Sequence, residues 1–233
     1  MILAGIVAGG SGTRMGGSLP KQFLELEGKP VLIRTAESFL SHNMIDAVII
    51  GINPDWYSDA DSLIRKFFPE SKRIFLTPGG SDRNETVSRM ISFAMNDLHC
   101  REDDIILTHD AVRPFVSERL ITDSISAMSD CEICTAAIPE TDTVVTSQDG
   151  ISACDFPDRR LLYRVQTPQT FRVGSFMKIY DSLSDEEKRL STDVCRLYKS
   201  NGLNVRLIPG ENENIKLTYP LDLSIAKAIL SSI

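Results

Sequence analysis

The amino-terminal stretch Ile2-Leu-Ala-Gly-Ile-Val-Ala-Gly-Gly-Ser-Gly-Thr-Arg-Met15 decides how the rest of the chain is interpreted. It begins as an apolar run of strand length and ends in a cluster of glycines. Glycine lets the backbone approach a ligand closely, and successive backbone N–H groups can form a concave nest for an anion. Two cations follow, Arg14 and Lys21, and fixed cations suit the charge that develops on a transferring phosphoryl group. The stretch therefore predicts a nucleotide-triphosphate loop at the carboxyl end of the first strand.

Other interpretations of this loop stay open on the residues alone. It is not a Walker A loop, because no Gly-Lys-Ser/Thr follows at the required spacing. It also departs from the dinucleotide fingerprint, since Met15 stands where the third small residue should pack. A tight strand-to-helix turn would explain the glycines, and Arg14 and Lys21 could be ordinary surface cations.

Composition limits the class of protein. The chain has 233 residues, 42% apolar and 24% charged, which suits one large α/β domain. A formal net charge of −7 argues against a nucleic-acid partner. No apolar stretch approaches the ~20 residues that span a bilayer, and no signal peptide is recognisable, so we expect no membrane partner. The odd number of cysteines fits reduced thiols in the cytoplasm, with Cys131 and Cys134 as structural thiols rather than a zinc or redox pair.

Strand-like and helix-like segments alternate along most of the chain. The apolar patterns predict strands at residues 2–8, 47–52, 73–76, 105–107, 134–138 and 205–208, and helices at residues 30–40, 55–67, 84–98, 117–128, 173–183, 193–201 and 221–231. Such alternation is typical of a doubly wound, mostly parallel α/β sheet.

The alternation of strand-like and helix-like segments is interrupted between residues 139 and 163, a segment that we call the arm. Polar and apolar residues alternate over residues 143–147 and 151–154, on either side of Asp149-Gly150. An Asp-Gly pair between two such runs favours a β-hairpin. An isolated two-stranded hairpin is marginal in water, so the arm should pack on something. A second copy of the chain is the economical candidate, which predicts a homodimer. The alternative is a hairpin folded back on its own domain.

Polar clusters follow the predicted strands, where ligands bind in a doubly wound sheet. They are residues 9–14, 78–86, 108–115, 166–171, 191–193 and 214–216. Asp110 ends an apolar run, and its carboxylate could hold Mg²⁺ on a triphosphate or could simply cap a turn. Arg113 could bind phosphate or pair with Asp110. No serine or cysteine motif stands beside His109, which we interpret as structural.

These clusters carry a resemblance to a known family. The segments Ala8-Gly-Gly-Ser-Gly-Thr-Arg-Met15, Pro20-Lys-Gln-Phe23, Gly79-Gly80 with Asp82-Arg83, His109-Asp-Ala-Val-Arg-Pro114, Gln166-Thr-Pro-Gln169, Thr192-Asp193 and Asn214-Ile-Lys216 resemble the polyol-phosphate cytidylyltransferases of the IspD/TarI family. The resemblance runs in order from about residue 2 to 228. It implies one nucleotidyltransferase domain over residues 1–233, with a Rossmann-like, GT-A-like fold and a projecting β-hairpin arm. It also implies the joining of CTP to a phosphorylated polyol, with Mg²⁺ as the cofactor and pyrophosphate as the second product.

The resemblance also implies roles for individual residues. Arg14 and Lys21 would stabilise the transition state, and Asp110 would bind the metal. CTP would be held by Val7, Ala8, Gly9, Gly10, Gly79, Gly80, Ser81, Asp82, Arg83, Asn84, Glu85, Thr86 and Ala111. The polyol phosphate would be held by Asp110, Arg113, Thr143, Arg159, Thr167, Thr192 and Lys216. The arm crosses to the partner subunit in this family, so Arg159 would serve the neighbour's site.

Two branches of the family compete. One makes CDP-methylerythritol for isoprenoids, and the other makes CDP-ribitol for teichoic acids or related surface polymers. The segment around Asp82–Thr86, Tyr163 before Gln166, and Val194-Cys195 after Thr192-Asp193 are more similar to the ribitol branch. A dehydrogenase and a non-catalytic nucleotide sensor are the rival classes. A dehydrogenase would need an acidic residue after the second strand to bind the ribose, and this sequence shows none. A non-catalytic sensor would be expected to lose Lys21, Asp110 or Lys216, and all three are present.

Overall fold

The computed structural model describes residues 1–10, 19–191 and 193–232. Its strands are β1 (Ile2–Ala8), β2 (Glu25–Leu26), β3 (Lys29–Pro30), β4 (Ala47–Ile52), β5 (Ile74–Pro78), β6 (Ile105–Asp110), β7 (Ile133–Pro139), β8 (Tyr163–Arg172) and β9 (Arg206–Pro209). Its helices are α1 (Val31–Leu40), α2 (Tyr57–Phe67), α3 (Arg83–Asp97), α4 (Glu118–Ser126), α5 (Val173–Ser182), α6 (Asp185–Leu190), α7 (Val194–Ser200) and α8 (Pro220–Leu230).

Seven strands form one sheet in the order β5-β4-β1-β6-β8-β7-β9. Strands β5, β4, β1 and β6 pair in parallel, as do β7 and β9, whereas β8 runs antiparallel to both of its neighbours. The carboxyl ends of β1, β5 and β6 therefore meet the start of β8 at one edge of the sheet. The expected doubly wound, mostly parallel sheet is confirmed.

Helices cover both faces of the sheet because its strands are apolar on both sides. Ile6 of β1 packs in a cluster with residues of α1, α2 and α4, including Phe39. Leu3 of the same strand packs in a second cluster with residues of α3, α5 and α7, including Phe176. Successive side chains of a strand point to opposite faces, so β1 contributes to both clusters.

Strand β8 corrects the sequence interpretation of residues 166–171, which were expected to lie in a loop at a strand end. They lie within β8, between β6 and β7. Pro168 disfavoured a central strand because proline has no N–H to donate to a neighbour. The structure accommodates it at an irregularity in the β7–β8 pairing, between Thr135 and Ala137.

The arm is the connection between β7 and β8. The predicted strands at 143–147 and 151–154 are wrong, because the described residues of the arm form a single bridge, between Thr146 and Asp155. The predicted turn at Asp149-Gly150 is present at the tip of the arm. Gly150 has a φ of 72°, and Asp149 Oδ1 accepts hydrogen bonds from the N–H groups of Ile151 and Ser152. Most residues of the arm are exposed, and a two-stranded hairpin with so little burial is at best marginally stable, which fits the absence of a regular ladder.

Two further observations concern the chain as a whole. All five cysteines lie in the described ranges, and none is in a disulfide. Over those same ranges, no helix has both the length and the apolar character that crossing a bilayer requires.

Candidate active site

The end of β1 is held in place by a turn that follows it in sequence. Gln22 is buried, and its Nε2 donates to the backbone oxygens of Ala8, at 2.9 Å, and Gly10, at 3.2 Å. Gln22 lies in a 3-10 turn, Lys21–Phe23, which Phe23 anchors by packing against Trp56 with 5.5 Å between ring centroids. The turn therefore holds Gly9 and Gly10, the described residues of the first loop, and brings Lys21 to the same cavity. Arg14 lies outside the described residues.

A second loop, between β5 and α3, lies beside the first. Gly79 packs tightly here, because a Cβ at this position would lie 3.1 Å from the backbone oxygen of Ile52. The Gly80 N–H donates to Thr86 Oγ1 at 3.0 Å, and Asp82 caps α3 by accepting from the Glu85 N–H at 2.8 Å. These bonds place the amino terminus of α3, with its partial positive charge, at the carboxyl edge of the sheet.

The two loops enclose a cavity of about 370 Å³, which we call the first cavity. Most of the residues expected to hold CTP line it, and so do Lys21 and Lys216. Those lining residues are Val7, Ala8, Gly9, Gly10, Gly80, Ser81, Asp82, Arg83, Thr86 and Ala111. Glycine backbone, a helix amino terminus and lysine side chains together suit a phosphorylated ligand.

Three residues of the expected CTP set do not line this cavity. Gly79 lies behind the loop, against β4. Asn84 is buried and donates to the backbone oxygen of Ser191. Glu85 accepts hydrogen bonds from Ser81 N and Oγ, each at 2.7 Å, and pairs with Arg89 at 2.6 Å. In this structure the three shape the loop rather than face the cavity.

Asp110 ends β6 at the centre of the site and is surrounded by cations. Its carboxylate pairs with Arg83, with Lys216 Nζ at 2.8 Å and with Arg113 Nε at 3.5 Å. Burial alone would raise the pKa of Asp110, but the positive charges of Arg83, Lys216 and Arg113 outweigh it and hold the pKa well below its usual range. The cluster keeps a net positive charge, which suits an anionic ligand.

A chain of hydrogen bonds fixes the backbone beneath Asp110. The Asp110 N–H donates to Thr167 Oγ1 at 3.2 Å, and Thr167 Oγ1 lies 2.9 Å from His109 Nδ1. His109 Nε2 lies 3.0 Å from the Arg113 carbonyl oxygen, which can only accept. Nε2 therefore carries the proton, and Nδ1 accepts from the Thr167 hydroxyl. Burial lowers the pKa of His109 to about 4, so the ring stays neutral and structural, as predicted.

A second cavity, of about 200 Å³, lies on the β8 side of Asp110. Arg113, Thr167 and Lys216, all expected to bind the polyol phosphate, line it. It shares Arg83, Asp110 and Lys216 with the first cavity. Two ligands bound in these cavities would therefore contact the same charged cluster.

Three buried polar atoms beside this cluster make no hydrogen bond among the described residues, although Arg113 Nε lies within ion-pair distance of Asp110. Arg83 Nε, Arg113 Nε and Asn214 Oδ1 are buried and make no hydrogen bond within the part of the chain that the structure describes. Burying such groups without a partner is costly. Arg83 and Arg113 line the second cavity, and guanidinium side chains there suit an acceptor-rich ligand.

Two expected substrate residues, both on the arm, are not brought to the site of their own chain. Thr143 and Arg159 are exposed on the arm and line neither the first nor the second cavity. Arg159 Nη1 donates to the Thr141 backbone oxygen at 3.2 Å. Thr192 lies outside the described residues.

Sequence reasoning assigned no role to three residues that organise the site. Gln22 and Gln169 stood within quoted motifs, but only the fold shows that Gln22 holds the β1 loop and that Gln169 contacts Arg83, at 3.4 Å. Asn214 donates to the Thr167 backbone oxygen at 2.8 Å, and its own backbone oxygen accepts from Arg113 at 2.7 Å. The available sequence signal was that all three are amide side chains within the same set of motifs as the charged residues.

The donor set fits a magnesium ion held mainly by phosphates. Across the described residues, no group of three or more His, Cys, Asp or Glu side chains forms a metal site. Mg²⁺ on a triphosphate needs only one or two protein carboxylates. Asp110 lines both cavities and stays ionised, so it is the carboxylate that would hold such an ion.

Comparison with known proteins agrees with this geometry. The family model "IspD: 2-C-methyl-D-erythritol 4-phosphate cytidylyltransferase" matches residues 2–232. The chain is 44% identical over 232 residues to proteins named ribitol-5-phosphate cytidylyltransferase from Streptococcus pneumoniae strain ATCC 700669 / Spain 23F-1 and from serotype 2 strain D39 / NCTC 7466, covering 99% of each chain.

Solved structures show the same fold. The 4-diphosphocytidyl-2C-methyl-D-erythritol synthase of Anaerococcus prevotii DSM 20548 superposes with a TM-score of 0.80 at 28% identity, over 99% of this chain and 96% of that one. The Francisella tularensis enzyme gives 0.81 at 24% identity, over 97% of this chain and 98% of that one, which shows likeness of fold alone. The chain is therefore a cytidylyltransferase that belongs to the IspD family.

Proposed function

We propose that this enzyme transfers the cytidylyl group of CTP to D-ribitol 5-phosphate, giving CDP-ribitol and pyrophosphate. The observation that carries the proposal is the pair of cavities that share Arg83, Asp110 and Lys216. CTP occupies the first cavity and the polyol phosphate the second. Residues 1–233 act together as one nucleotidyltransferase domain in this proposal.

Geometry does most of the work in such a transfer. The two loops hold CTP, and the second cavity holds the polyol phosphate within reach of the α-phosphorus. Holding two reactants in line replaces a bimolecular encounter and supplies a large part of the rate. No covalent enzyme intermediate is required.

The chemical step needs no general base. An anionic oxygen of the polyol phosphate attacks the α-phosphorus of CTP and forms a new P–O bond. The bond from the α-phosphorus to the oxygen that bridges to the β-phosphorus breaks, and its electrons leave on pyrophosphate. A phosphate monoester is already largely dianionic near neutral pH, so no proton must be removed from the nucleophile.

Lys21 and Arg14 stabilise the charge that builds up in this step. Lys21 is 9% exposed and lines the first cavity beside the glycine loop. A cation held in a partly dry site interacts more strongly with developing charge than one in water. Arg14 is assigned the same role by the family motif.

Mg²⁺ is the proposed cofactor, and Asp110 is the residue that would hold it. A bound magnesium ion would supply charge neutralisation to the triphosphate. The test is the Asp110→Asn variant at limiting Mg²⁺. We expect its apparent Mg²⁺ requirement to rise, and full activity at limiting Mg²⁺ would remove Asp110 from this role.

Ribitol 5-phosphate is favoured over methylerythritol 4-phosphate by the relatives. Proteins that are 44% identical over nearly the full chain carry the ribitol name, whereas the two solved methylerythritol enzymes compared above are 28% and 24% identical. The product would supply teichoic acid or a related surface polymer. The methylerythritol reaction is the alternative.

Pyrophosphate release with CTP and Mg²⁺ tests the proposal, comparing the two polyol phosphates side by side. We expect ribitol 5-phosphate to give the higher kcat/KM. A preference for methylerythritol 4-phosphate would overturn the substrate assignment and leave the cytidylyltransferase mechanism standing. Release with neither would overturn the proposed substrate class.

We further propose that the enzyme works as a homodimer joined through the arm. Ile151, Phe156 and Leu161 are 91%, 66% and 78% exposed, which is unusual for apolar side chains gathered in one segment. Thr143 and Arg159 lie on the same segment. An arm that packs on a second copy would bury the apolar residues and deliver Thr143 and Arg159 to the neighbour's second cavity.

A further inference from the structure

Gln169 occupies a fixed position beside the charged cluster. It is 1% exposed, and its backbone lies between Thr108 of β6 and Thr135 of β7. Strand pairing on both sides holds the residue, because its Cα cannot move without disturbing two ladders. The Gln169 side chain therefore extends from a backbone position that is fixed on both sides.

The orientation of the Gln169 amide is determined by its contacts. Nε2 lies 2.8 Å from Asp193 Oδ2 and 3.2 Å from Cys195 Sγ, and both can accept its protons. Oε1 accepts from Arg83 Nη2 at 3.4 Å. A flipped amide would place its N–H groups against the guanidinium and its oxygen against the carboxylate, so one orientation is strongly preferred.

Asp193 is itself held in place from the other side. Its Oδ1 caps α7 by accepting from the Cys195 N–H at 2.8 Å and the Arg196 N–H at 3.3 Å. One carboxylate oxygen is thus committed to the helix and the other to Gln169. The amino terminus of α7 is thereby connected through Gln169 to Arg83.

Arg83 is the residue on which this arrangement acts. Its Nη1 donates to Asp110, its Nη2 to Gln169, and its side chain lines both cavities. A single ion pair would leave a guanidinium free to rotate, whereas two acceptors at different N–H groups fix its plane. Arg83 Nε is buried and has no partner among the residues that the structure describes.

We propose that Gln169 is a positioning residue. It holds the Arg83 guanidinium between the two cavities, so that an N–H remains available to the phosphate groups of the reactants. The inference rests on the proposed function, and Gln169 itself takes no part in the bond changes.

The first test compares Gln169→Leu with Thr170→Val. Thr170 is buried on the same strand and lines neither the first nor the second cavity, so its change is a matched buried polar-to-apolar substitution. We expect kcat of Gln169→Leu to fall about tenfold, since a hydrogen bond to a charged group is lost, with a smaller change in KM for CTP. Thr170→Val should keep wild-type kcat. Equal kcat values for the two variants would contradict the proposal.

Gln169→Glu adds a readout that a packing role would not change. The groups facing the new side chain are Arg83 of α3, Asp193 at the amino-terminal cap of α7 and Cys195 of α7. Asp110 of β6 lies beyond Arg83. Burial raises the pKa of Cys195 to about 12, so that thiol stays neutral. The ionised carboxylate of this variant would repel Asp193 and draw Arg83 from Asp110, whereas the protonated acid would reproduce the pattern of the amide.

The activity of Gln169→Glu relative to wild type should therefore rise as the pH is lowered from 8 towards 5. A ratio that does not change with pH would contradict the proposal. Wild type is assayed in the same series, so loss of the proposed function would show as an inactive wild type. A crystal structure of Gln169→Leu gives an answer independent of activity. We expect its Arg83 guanidinium to be displaced, and an unchanged guanidinium would overturn the inference.

Discussion

The centre of the candidate site and the arm lie on neighbouring parts of the chain but differ in how they are stabilised. At the centre, Asp110 and Gln169 are buried between adjacent strands, and each is held by side chains from several other elements. The arm has one bridge, between Thr146 and Asp155, and exposes Ile151 and Phe156. The comparison teaches that side chains of one chain build the charged centre, whereas the same chain leaves apolar side chains of the arm exposed, as the proposed dimer would require.

The largest expected effect is at the centre, on catalysis. Lys21→Ala removes a cation that is aimed at the developing charge, so kcat should fall by about 10²–10³, equivalent to ~3–4 kcal/mol of transition-state stabilisation. Steady-state kinetics and thermal unfolding of the same preparation check this. Lys72→Ala is the control, because Lys72 is exposed and lines neither the first nor the second cavity. Near-normal turnover of the Lys21 variant would remove Lys21 from the mechanism.

The second prediction concerns the stability of the centre. Asp110→Asn leaves Arg83, Arg113 and Lys216 without their shared counter-charge, so the free energy of unfolding should fall by about 3 kcal/mol. Asp123→Asn breaks an exposed pair with Arg119 and should cost less than about 1 kcal/mol. Denaturant unfolding of both variants measures the difference. Equal losses would mean that the charged centre contributes no more than a surface pair.

The same ion pairs predict a pH dependence with a definite sign. The folded-state pKa of Asp110 is depressed, so its contribution to stability is present above the unfolded-state pKa and is lost as the pH falls. The stability difference between wild type and Asp110→Asn should be constant from about pH 5 to 8 and should shrink below about pH 4, near the unfolded-state pKa. Unfolding curves across this range test it, and a difference that grew on acidification would contradict the ion-pair account.

The smallest expected effect is on the arm, and it should appear in association rather than in folding. Phe156→Asp should weaken the dimer by about 10–100-fold, since burying a phenylalanine side chain contributes roughly 1.5–3 kcal/mol. Leu221→Asp, an exposed leucine of α8 outside the arm, is the matched control and should leave association unchanged. Sedimentation across a concentration series compares them. Identical dissociation constants for both variants and wild type would argue against an arm-mediated interface.

The regions that sequence predicted well have a local physical signal. Strand β1 and the fully buried β4 agree with their predicted limits because each is an apolar run bounded by polar or glycine residues. The position of Asp110 at the end of β6 followed from the same logic. A strand end is a local property, and the edge at which strand ends meet follows from the parallel topology.

The parts that sequence missed depend on contacts between distant residues. Strand β8 has a polar sequence with Pro168, and its strand character comes from pairing with β6 and β7 on either side. The sequence around Gln169 does not predict its contact with Arg83, which lies 86 positions away in the chain. The strands predicted in the arm were wrong for the opposite reason, because a favourable local pattern had no neighbouring surface to stabilise it.

A subunit-mixing assay tests most directly whether one chain builds the centre and a second chain completes it. Lys21→Ala and Arg159→Ala, each expected to have little activity alone, would be co-expressed and assayed as mixed dimers. In a heterodimer, the subunit with an intact Lys21 receives the intact Arg159 of its partner. The account therefore predicts recovery of about a quarter of wild-type activity for random pairing of equal amounts in a symmetric dimer. No recovery, with heterodimers demonstrated in the mixture, would mean that Arg159 acts within its own chain, and would contradict the shared site.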